Sequence, residues 1–368
     1  MRIAQVAPLI EAVPPRLYGG TERVVSFLTE ELVRQGHEVT LFASGDSTTS
    51  AKLVPVVDRA LRLSGIRDHT ASTLVMLEEV HRCADAFDVI HFHVDLLQFP
   101  RFRSLSHKCV TTLHGRLDLA DCHPIYRAFP QMPLISISRS QRLPMPKSAN
   151  WLATIPHGLP KPRCPCHLRP GGYLAFLGRI APEKRPDRAI AIAERSGIPL
   201  KIAAKVDAAD KSYFERSVRP LLDHPLVEFL GEIGDRQKAE FLGRARALLF
   251  PIDWPEPFGL VMIEALSVGT PVIAWRRGSV PEIIEDGVTG AVVDSIEEAA
   301  EAVERVGEFS RRVVRQRFER LFTAEIMTRR YVAAYEKLLR LSQRPGRPGP
   351  TAEPCPRTGN VADLQAAE

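Results

Sequence analysis

The hydrophobic pattern along the chain switches repeatedly between two periods. "RIAQVAPL" is a short apolar run without helical spacing, followed by the Gly19-Gly20 turn and by "TERVVSFLTEELVRQGH", whose apolar residues recur at helical spacing until Gly36. "EVTLFAS" reads as a second strand, so the opening is a βαβ unit whose crossover makes its strands parallel. "DVIHFHV", "KCVTTLHG", "PLISIS" and "WLATIPHG" continue as buried strands joined by helical or irregular segments. Loops at the carboxyl ends of such strands face ligands.

Residues 159–170, "LPKPRCPCHLRP", are rich in proline and lack periodicity, which predicts an extended linker. A second series then begins, with strands at "GYLAFLG", "LKIAAKV", "LVEFLG", "ALLFPI" and "PVIAW" and helices at "DRAIAIAERSG", "RQKAEFLGRA" and "GLVMIEALSVG". After Val293 the pattern is helical through "SIEEAAEAVERVGE", "SRRVVRQRFERLF" and "TAEIMTRRYVAAYEKLLRLS". Residues 342–368, rich in Pro and Gly and without aromatics, are expected to be disordered. The pattern thus divides the chain into 1–158, a linker 159–170, 171–322, a last helix over 323–341 and the tail.

A length of 368 residues agrees with that division, since it exceeds what one core supports. With 45% hydrophobic and 25% charged residues the composition is that of a soluble globular protein, and the alternating strands and helices make its class α/β. The net charge of +5 is mild and both signs are interspersed, which argues against nucleic acid and leaves an anionic small ligand or an anionic membrane surface. The apolar run after Arg2 is short and broken by Pro8, and no run reaches the roughly 18 to 20 apolar residues that cross a bilayer, so a cytoplasmic location is expected. The six cysteines, Cys83, Cys109, Cys122, Cys164, Cys166 and Cys355, then read as reduced thiols. The cluster Cys164, Cys166 and His167 fits no common zinc spacing, and no metal site is expected.

Charge becomes informative at two loops. In "FLGRIAPEKRPDRAI", Gly178 is expected to let the backbone turn sharply, and Arg179 and Lys184 follow before a helix near Asp187. A strand-to-helix loop already favours anions, and two cations there suit a diphosphate, although a solvated basic turn has the same composition. In "IDWPEPFGLVMIEALSVGTPVIAW" two glutamates interrupt a core-like segment. Glu256 precedes a Pro-Phe-Gly turn, Gly259 opens a helix, and Glu264 lies roughly 7 to 8 Å further along it at 1.5 Å per residue. The pair could address two parts of one elongated ligand, or serve as a helix cap and an ion-pair partner.

Taken in order, Gly19-Gly20, His114-Gly115, "GRIAPEK", "EPFGLVMIE" and "GSVPEIIEDGVTG" resemble the family 4 retaining glycosyltransferases of the GT-B fold, over about residues 1 to 340. The resemblance implies two facing Rossmann-like domains with parallel sheets and a cleft between them, the first domain handling the acceptor, the second the nucleotide-sugar, and the last helix crossing back to the first. It implies that Arg179 and Lys184 hold the donor diphosphate as leaving group. Glu256 would contact donor-sugar hydroxyls, Glu264 the ribose, and the backbone N–H groups of Phe258, Gly259 and Leu260 the sugar or distal phosphate. Gly19 and Gly20 resemble the loop that closes over phosphate or acceptor, and His114 stands at the family position beside the donor sugar. Two departures are His157-Gly158 where many members have Asn-Gly, with a positive backbone dihedral still open to Gly158, and Gly278-Ser279 in place of Gly-Gly.

His91 and His93 share one face of a strand end, His93 reading as a residue of the acceptor cleft or a satisfied core histidine. The basic helix "SRRVVRQRFERLF" could lay Phe309, Val313, Phe318 and Leu321 on an anionic membrane, or pack them on its own domain. No Asp-x-Asp motif precedes a strand end in the first half, so protein cations rather than a divalent ion, and no separate cofactor, are expected to serve the diphosphate. The reading is a hexosyltransferase using a UDP-glucose-type donor and an acceptor hydroxyl the sequence does not identify. A nucleotide-sugar epimerase and a non-catalytic nucleotide-sugar binding protein are the alternatives.

Overall fold

The computed structural model describes residues 1–16, 19–66, 68–162, 169 and 171–342; Cys164, Cys166 and His167, with most of the linker and the tail from 343, lie outside the described residues. Strands β1 (Arg2–Val6), β2 (Glu38–Ser44), β3 (Lys52–Val57), β4 (Val89–Phe92), β5 (Cys109–Thr112), β6 (Pro133–Ser136) and β7 (Asn150–Thr154) form one sheet, ordered β3-β2-β1-β4-β5-β6-β7. Strands β8 (Tyr173–Arg179), β9 (Leu200–Lys205), β10 (Val227–Gly231), β11 (Ala245–Phe250), β12 (Val272–Trp275) and β13 (Gly290–Val293) form a second, ordered β10-β9-β8-β11-β12-β13. Every pairing is parallel. The four residues of β4, β5, β6 and β12 are all buried, which is why these strands read as continuous apolar runs instead of alternating ones.

Strand order reverses between β1 and β4 in the first sheet and between β8 and β11 in the second. A crevice opens outside the carboxyl ends of strands at such reversals. Two strands, β3 and β13, are missing from the sequence reading. Strand β3 carries Pro55 within it and is half-exposed at a sheet edge, where a missing N–H costs no ladder bond.

The chain's end belongs to the first half. On helix Ala324–Ser342, Met327, Tyr331, Tyr335 and Leu338 pack with Val24, Leu28 and Leu32 of helix Gly20–Arg34 and with Ile3 of β1. The two crossings are pinned together, Leu159 N donating to Phe322 O at 2.9 Å and Ala324 N to Leu159 O at 2.8 Å. Gly158 does not use the positive φ that its residue type leaves open. Its constraint is space: a Cβ there would lie 2.4 Å from the Thr323 carbonyl oxygen and 2.9 Å from Met327 Cβ.

The basic helix, Arg311–Leu321, buries Val314 and Phe318 completely and Phe309 nearly so, and Leu321 packs against the same core. Arg311 is itself buried, donating to the carbonyls of Gly243 at 2.7 Å and Ala245 at 2.9 Å. Of the four residues proposed to meet a membrane only Val313 is exposed, so the apolar side is spent on the helix's own half. Among the described residues no helix is long and apolar enough to cross a membrane.

Gly158→Ala should lower stability by about 1–3 kcal/mol, the usual cost of forcing atoms into a packed contact. Denaturant melts read this directly; an unchanged midpoint would mean that the two crossings can separate freely.

Candidate active site

The carboxyl ends of β1, β5, β8 and β11 converge on one cavity of about 530 Å³. Gly19, Gly20 and His114 line it from the first half, and Arg179, Lys184, Glu256, Phe258, Gly259, Leu260 and Glu264 from the second. The two halves meet here, since a Cβ on Gly20 would lie 3.6 Å from Leu260 Cδ1. Sequence reasoning missed Arg16, Arg23, His157, Lys205 and Lys238 in the lining. His157 had a signal, being one of the departures from the family pattern; the lysines and arginines looked like any surface cation.

Local structure fixes each charged group. Gly178 lies within β8 and has no positive φ; the left-handed residue of this loop is Arg185, at φ 52°, the N-cap of helix Pro186–Ser196. Ion pairs to Asp187 at 2.7 Å and Asp253 at 3.1 Å hold Arg185 in that conformation. Gly259, at φ 77°, is the N-cap of helix Leu260–Ser267 and not its first residue, and the left-handed turn suits glycine. Glu264 lies on that helix, one to two turns in.

The charged groups hold one another in this structure. Lys184 Nζ is 2.5 Å from Glu256 Oε2, which also accepts from Trp254 Nε1 at 3.1 Å, and the ammonium lies 4.9 Å from the Trp254 ring centre. Arg179 is 2.5 Å from Glu183 and 3.6 and 3.7 Å from Asp210 and Asp207. Arg23 Nη1 donates to Glu264 Oε1 at 2.7 Å, joining helix Gly20–Arg34 to the other half. Each glutamate is thus an ion-pair partner and each lines the cavity, whereas neither caps the helix, whose N-cap Gly259 has no side-chain cap.

His91, His93 and His157 are buried and His114 half-buried, and the four form a group of which His114 and His157 line the cavity. His93 does not line the cavity: it is 2% exposed, its Nδ1 lies 2.8 Å from His114 Nε2, and its Nε2 lies 2.7 Å from Gln5 Oε1. It thus stands behind His114, which displaces the reading of His93 as a cleft residue. His91 is a satisfied core residue between Tyr335 Oη and Thr112 Oγ1, both at 2.7 Å. His157 stacks on His114 with rings 5.2 Å apart and meets Phe258 edge-on at 4.9 Å. Burial pushes His114 down to about 3, and burial with neighbouring imidazoles pushes His91, His93 and His157 well below their usual range, so all four are neutral near pH 7. Among the described residues no three His, Cys, Asp or Glu side chains cluster as a metal site.

Residues 18–182 match the family described as Glycosyltransferase Family 4, and residues 170–317 match Glycosyl transferases group 1. The chain is similar to D-inositol 3-phosphate glycosyltransferase of Streptomyces scabiei, 34% identical over 139 residues, which cover 34% of this chain and 31% of that protein. The matched stretch is thus about a third of the curated relative. Among solved structures it resembles AviGT4, a glycosyltransferase involved in avilamycin A biosynthesis, with a TM-score of 0.68 at 24% identity over 92% of this chain and 98% of that one. It also resembles Anabaena HepE in complex with UDP-glucose, with a TM-score of 0.65 at 16% identity over 92% and 100% of the two chains. At these identities the structural likeness shows the fold, two facing Rossmann-like units of the GT-B type.

The buried histidines set an acid limit on this fold. Each is neutral when folded and free to bind a proton when unfolded, so acidification below about 6.5 favours the unfolded chain by up to about 1.4 kcal/mol per pH unit for each group. Glu22 works the opposite way: burial, with Glu11 nearby, raises it to about 7, so the folded chain holds an extra proton between its usual 4.5 and that value. Asp95, also raised by burial, acts with Glu22, while His37, also lowered by burial, joins the four, and the melting temperature should fall between pH 7.5 and pH 5. A melting temperature that rises over this interval would show that the histidines are not held neutral.

Proposed function

We propose that this chain, which belongs to the family 4 glycosyltransferases, transfers a hexose from a nucleoside-diphosphate sugar of the UDP-glucose type to an acceptor hydroxyl, with retention at the anomeric carbon. One observation carries the reading. A single cavity gathers two cations on a strand-to-helix loop, a helix N-terminus and two carboxylates from one half, with a glycine turn and a neutral histidine from the other. A diphosphate, a sugar and a ribose call for that set of groups.

In the reaction the bond between the anomeric carbon and the diphosphate oxygen breaks, and the acceptor oxygen bonds to that carbon on the same face. The acceptor's proton passes to the departing phosphate oxygen, so atoms and charge balance without a further base. Arg179 and Lys184 stabilise the charge that grows on the leaving diphosphate, a role that strengthens as the bond breaks. Glu256 orients sugar hydroxyls and Glu264 the ribose. Lys184 and Glu256 are partners in this structure, so donor binding exchanges a carboxylate for a phosphate on Lys184 and frees Glu256 for the sugar. The neutralising charge comes from the protein, and the reaction is proposed to need no metal and no separate cofactor.

Nucleoside diphosphate released only when an acceptor is supplied separates transfer from an epimerase and from a binding protein. Thermal shifts with UDP, GDP and ADP sugars would identify the base, since a ligand at 100 times its Kd adds about 2.7 kcal/mol. Arg179→Ala and Lys184→Ala should each slow turnover by about 100-fold or more, the loss of an oxyanion-type stabiliser of about 3 kcal/mol. Near-normal turnover in both would remove them from the diphosphate. Activity should also survive EDTA, and full loss restored by magnesium or manganese would assign the neutralising role to a metal.

A further inference from the structure

Three imidazoles, one tyrosine hydroxyl and one amide are bonded in a line that ends at the cavity. Gln5 lies on β1 and is paired in register with His91 of β4, and His93 N donates to Val6 O at 2.9 Å just beyond. The parallel register therefore brings the Gln5 amide and both imidazoles to one point behind the cavity. Gln5, His91 and His93 are all buried, so each polar atom must find its partner within the protein.

The proton positions follow link by link. Gln5 Nε2 donates to Tyr335 Oη at 3.3 Å, which leaves Oε1, an acceptor only, facing His93 Nε2 at 2.7 Å. His93 Nε2 therefore carries the proton of its neutral ring and Nδ1 is a lone pair. The atom 2.8 Å from that lone pair, His114 Nε2, must then be the donor. One proton per neutral ring leaves His114 Nδ1 as a lone pair. That atom is buried and has no hydrogen-bond partner among the described residues, on a ring that lines the cavity. Tyr335 Oη, having received the amide proton, donates its own to His91 Nδ1 at 2.7 Å, and His91 donates from Nε2 to Thr112 Oγ1 at 2.7 Å, so the string closes without a conflict.

We infer that Gln5 and His93 are positioning residues that hold His114 as its Nε2–H tautomer, so that His114 Nδ1 accepts a hydroxyl of the donor sugar. Glu256, once released from Lys184, is one acceptor on that wall, and the Phe258–Leu260 backbone offers donors, so His114 Nδ1 would serve a second hydroxyl from the opposite half. The identity of the hydroxyl rests on the nucleotide-sugar reading; the tautomer does not.

Long-range proton–nitrogen correlation spectra of the full chain labelled at histidine nitrogen, with His93→Asn and His114→Asn for assignment, read the tautomers directly. Both rings are expected as Nε2–H with an unprotonated Nδ1 at pH 7.5, and a proton on Nδ1 of either ring overturns the inference. A kinetic arm uses UDP-glucose and its monodeoxy analogues as probe donors. Gln5→Leu should slow UDP-glucose turnover about tenfold, as for one hydrogen bond lost in the transition state, and leave unaffected the one analogue that already lacks the hydroxyl. A uniform loss across the set, or no loss at all, overturns the positioning role. Absence of transfer with every donor would sink the proposed function while the spectra still decide the tautomer.

Discussion

A charge drawn out of water must be compensated, and the cleft between the two sheets is arranged around that requirement. Its lining holds Arg16, Arg23, Arg179, Lys184, Lys205 and Lys238 against Glu232, Glu256 and Glu264. An excess of cations suits an anion, but a half-enclosed ammonium or guanidinium still needs a partner within the protein. Lys184 with Glu256, Arg23 with Glu264 and Arg179 with Glu183 supply it. The same residues thus satisfy one another, and any charged ligand of the cavity competes for partners already in place. Discrimination follows from this: a ligand gains only what its groups offer beyond the carboxylates or guanidinium they replace.

The same requirement ties the two halves together. Arg23 and Glu264 come from opposite sides of the cleft, and Glu282 accepts from the backbone N–H groups of Arg139 and Ser140 of the first half, both at 2.8 Å. With the two crossings at Leu159 and Thr323, these contacts hold the halves at three places. Of these three, the Arg23–Glu264 contact lies in the cavity lining, where Gly20 with Leu260 and His157 with Phe258 also bring the halves together. A ligand that takes Glu264 loosens that ion pair, so binding and the relative position of the halves are coupled.

Much of this was legible in the sequence, because parallel strands buried on both faces leave unmistakable apolar runs and helices leave their own period. The edge strand β3 was not, since its proline and half-exposed residues break the run. The site's loops were legible where composition marked them: Glu256 and Glu264 interrupt apolar sequence, and Arg179 and Lys184 follow a strand. Their partners were not, because Arg23 meets Glu264 across 241 positions and Lys184 meets Glu256 across 72. His93 was placed at the cleft because its strand ends there; the structure sets it one layer back because His114, from the next strand's loop, covers it. The sharp turn of this loop was expected at Gly178 on residue type alone, whereas Gly178 lies within β8 and paired carboxylates hold Arg185 in the left-handed conformation.

A core-like segment can carry two glutamates because its backbone, not its side chains, decides where they sit. Gly278, at φ 54°, lies so close that a Cβ would be 2.3 Å from Glu256 O and 2.4 Å from Glu256 N. Next to it, Ser279 N donates to Glu256 O and Ser279 Oγ to Phe258 O, both at 2.9 Å. The serine that departs from the family's Gly-Gly is fully buried and occupied in this way, so the change adds a fastening where a glycine would supply only room. Beyond the turn, Met262, Ile263, Ala265 and Leu266 are buried to the core and fix the helix's rotation, which leaves Glu264 facing the cavity. The apolar residues of the segment are what aim its charges.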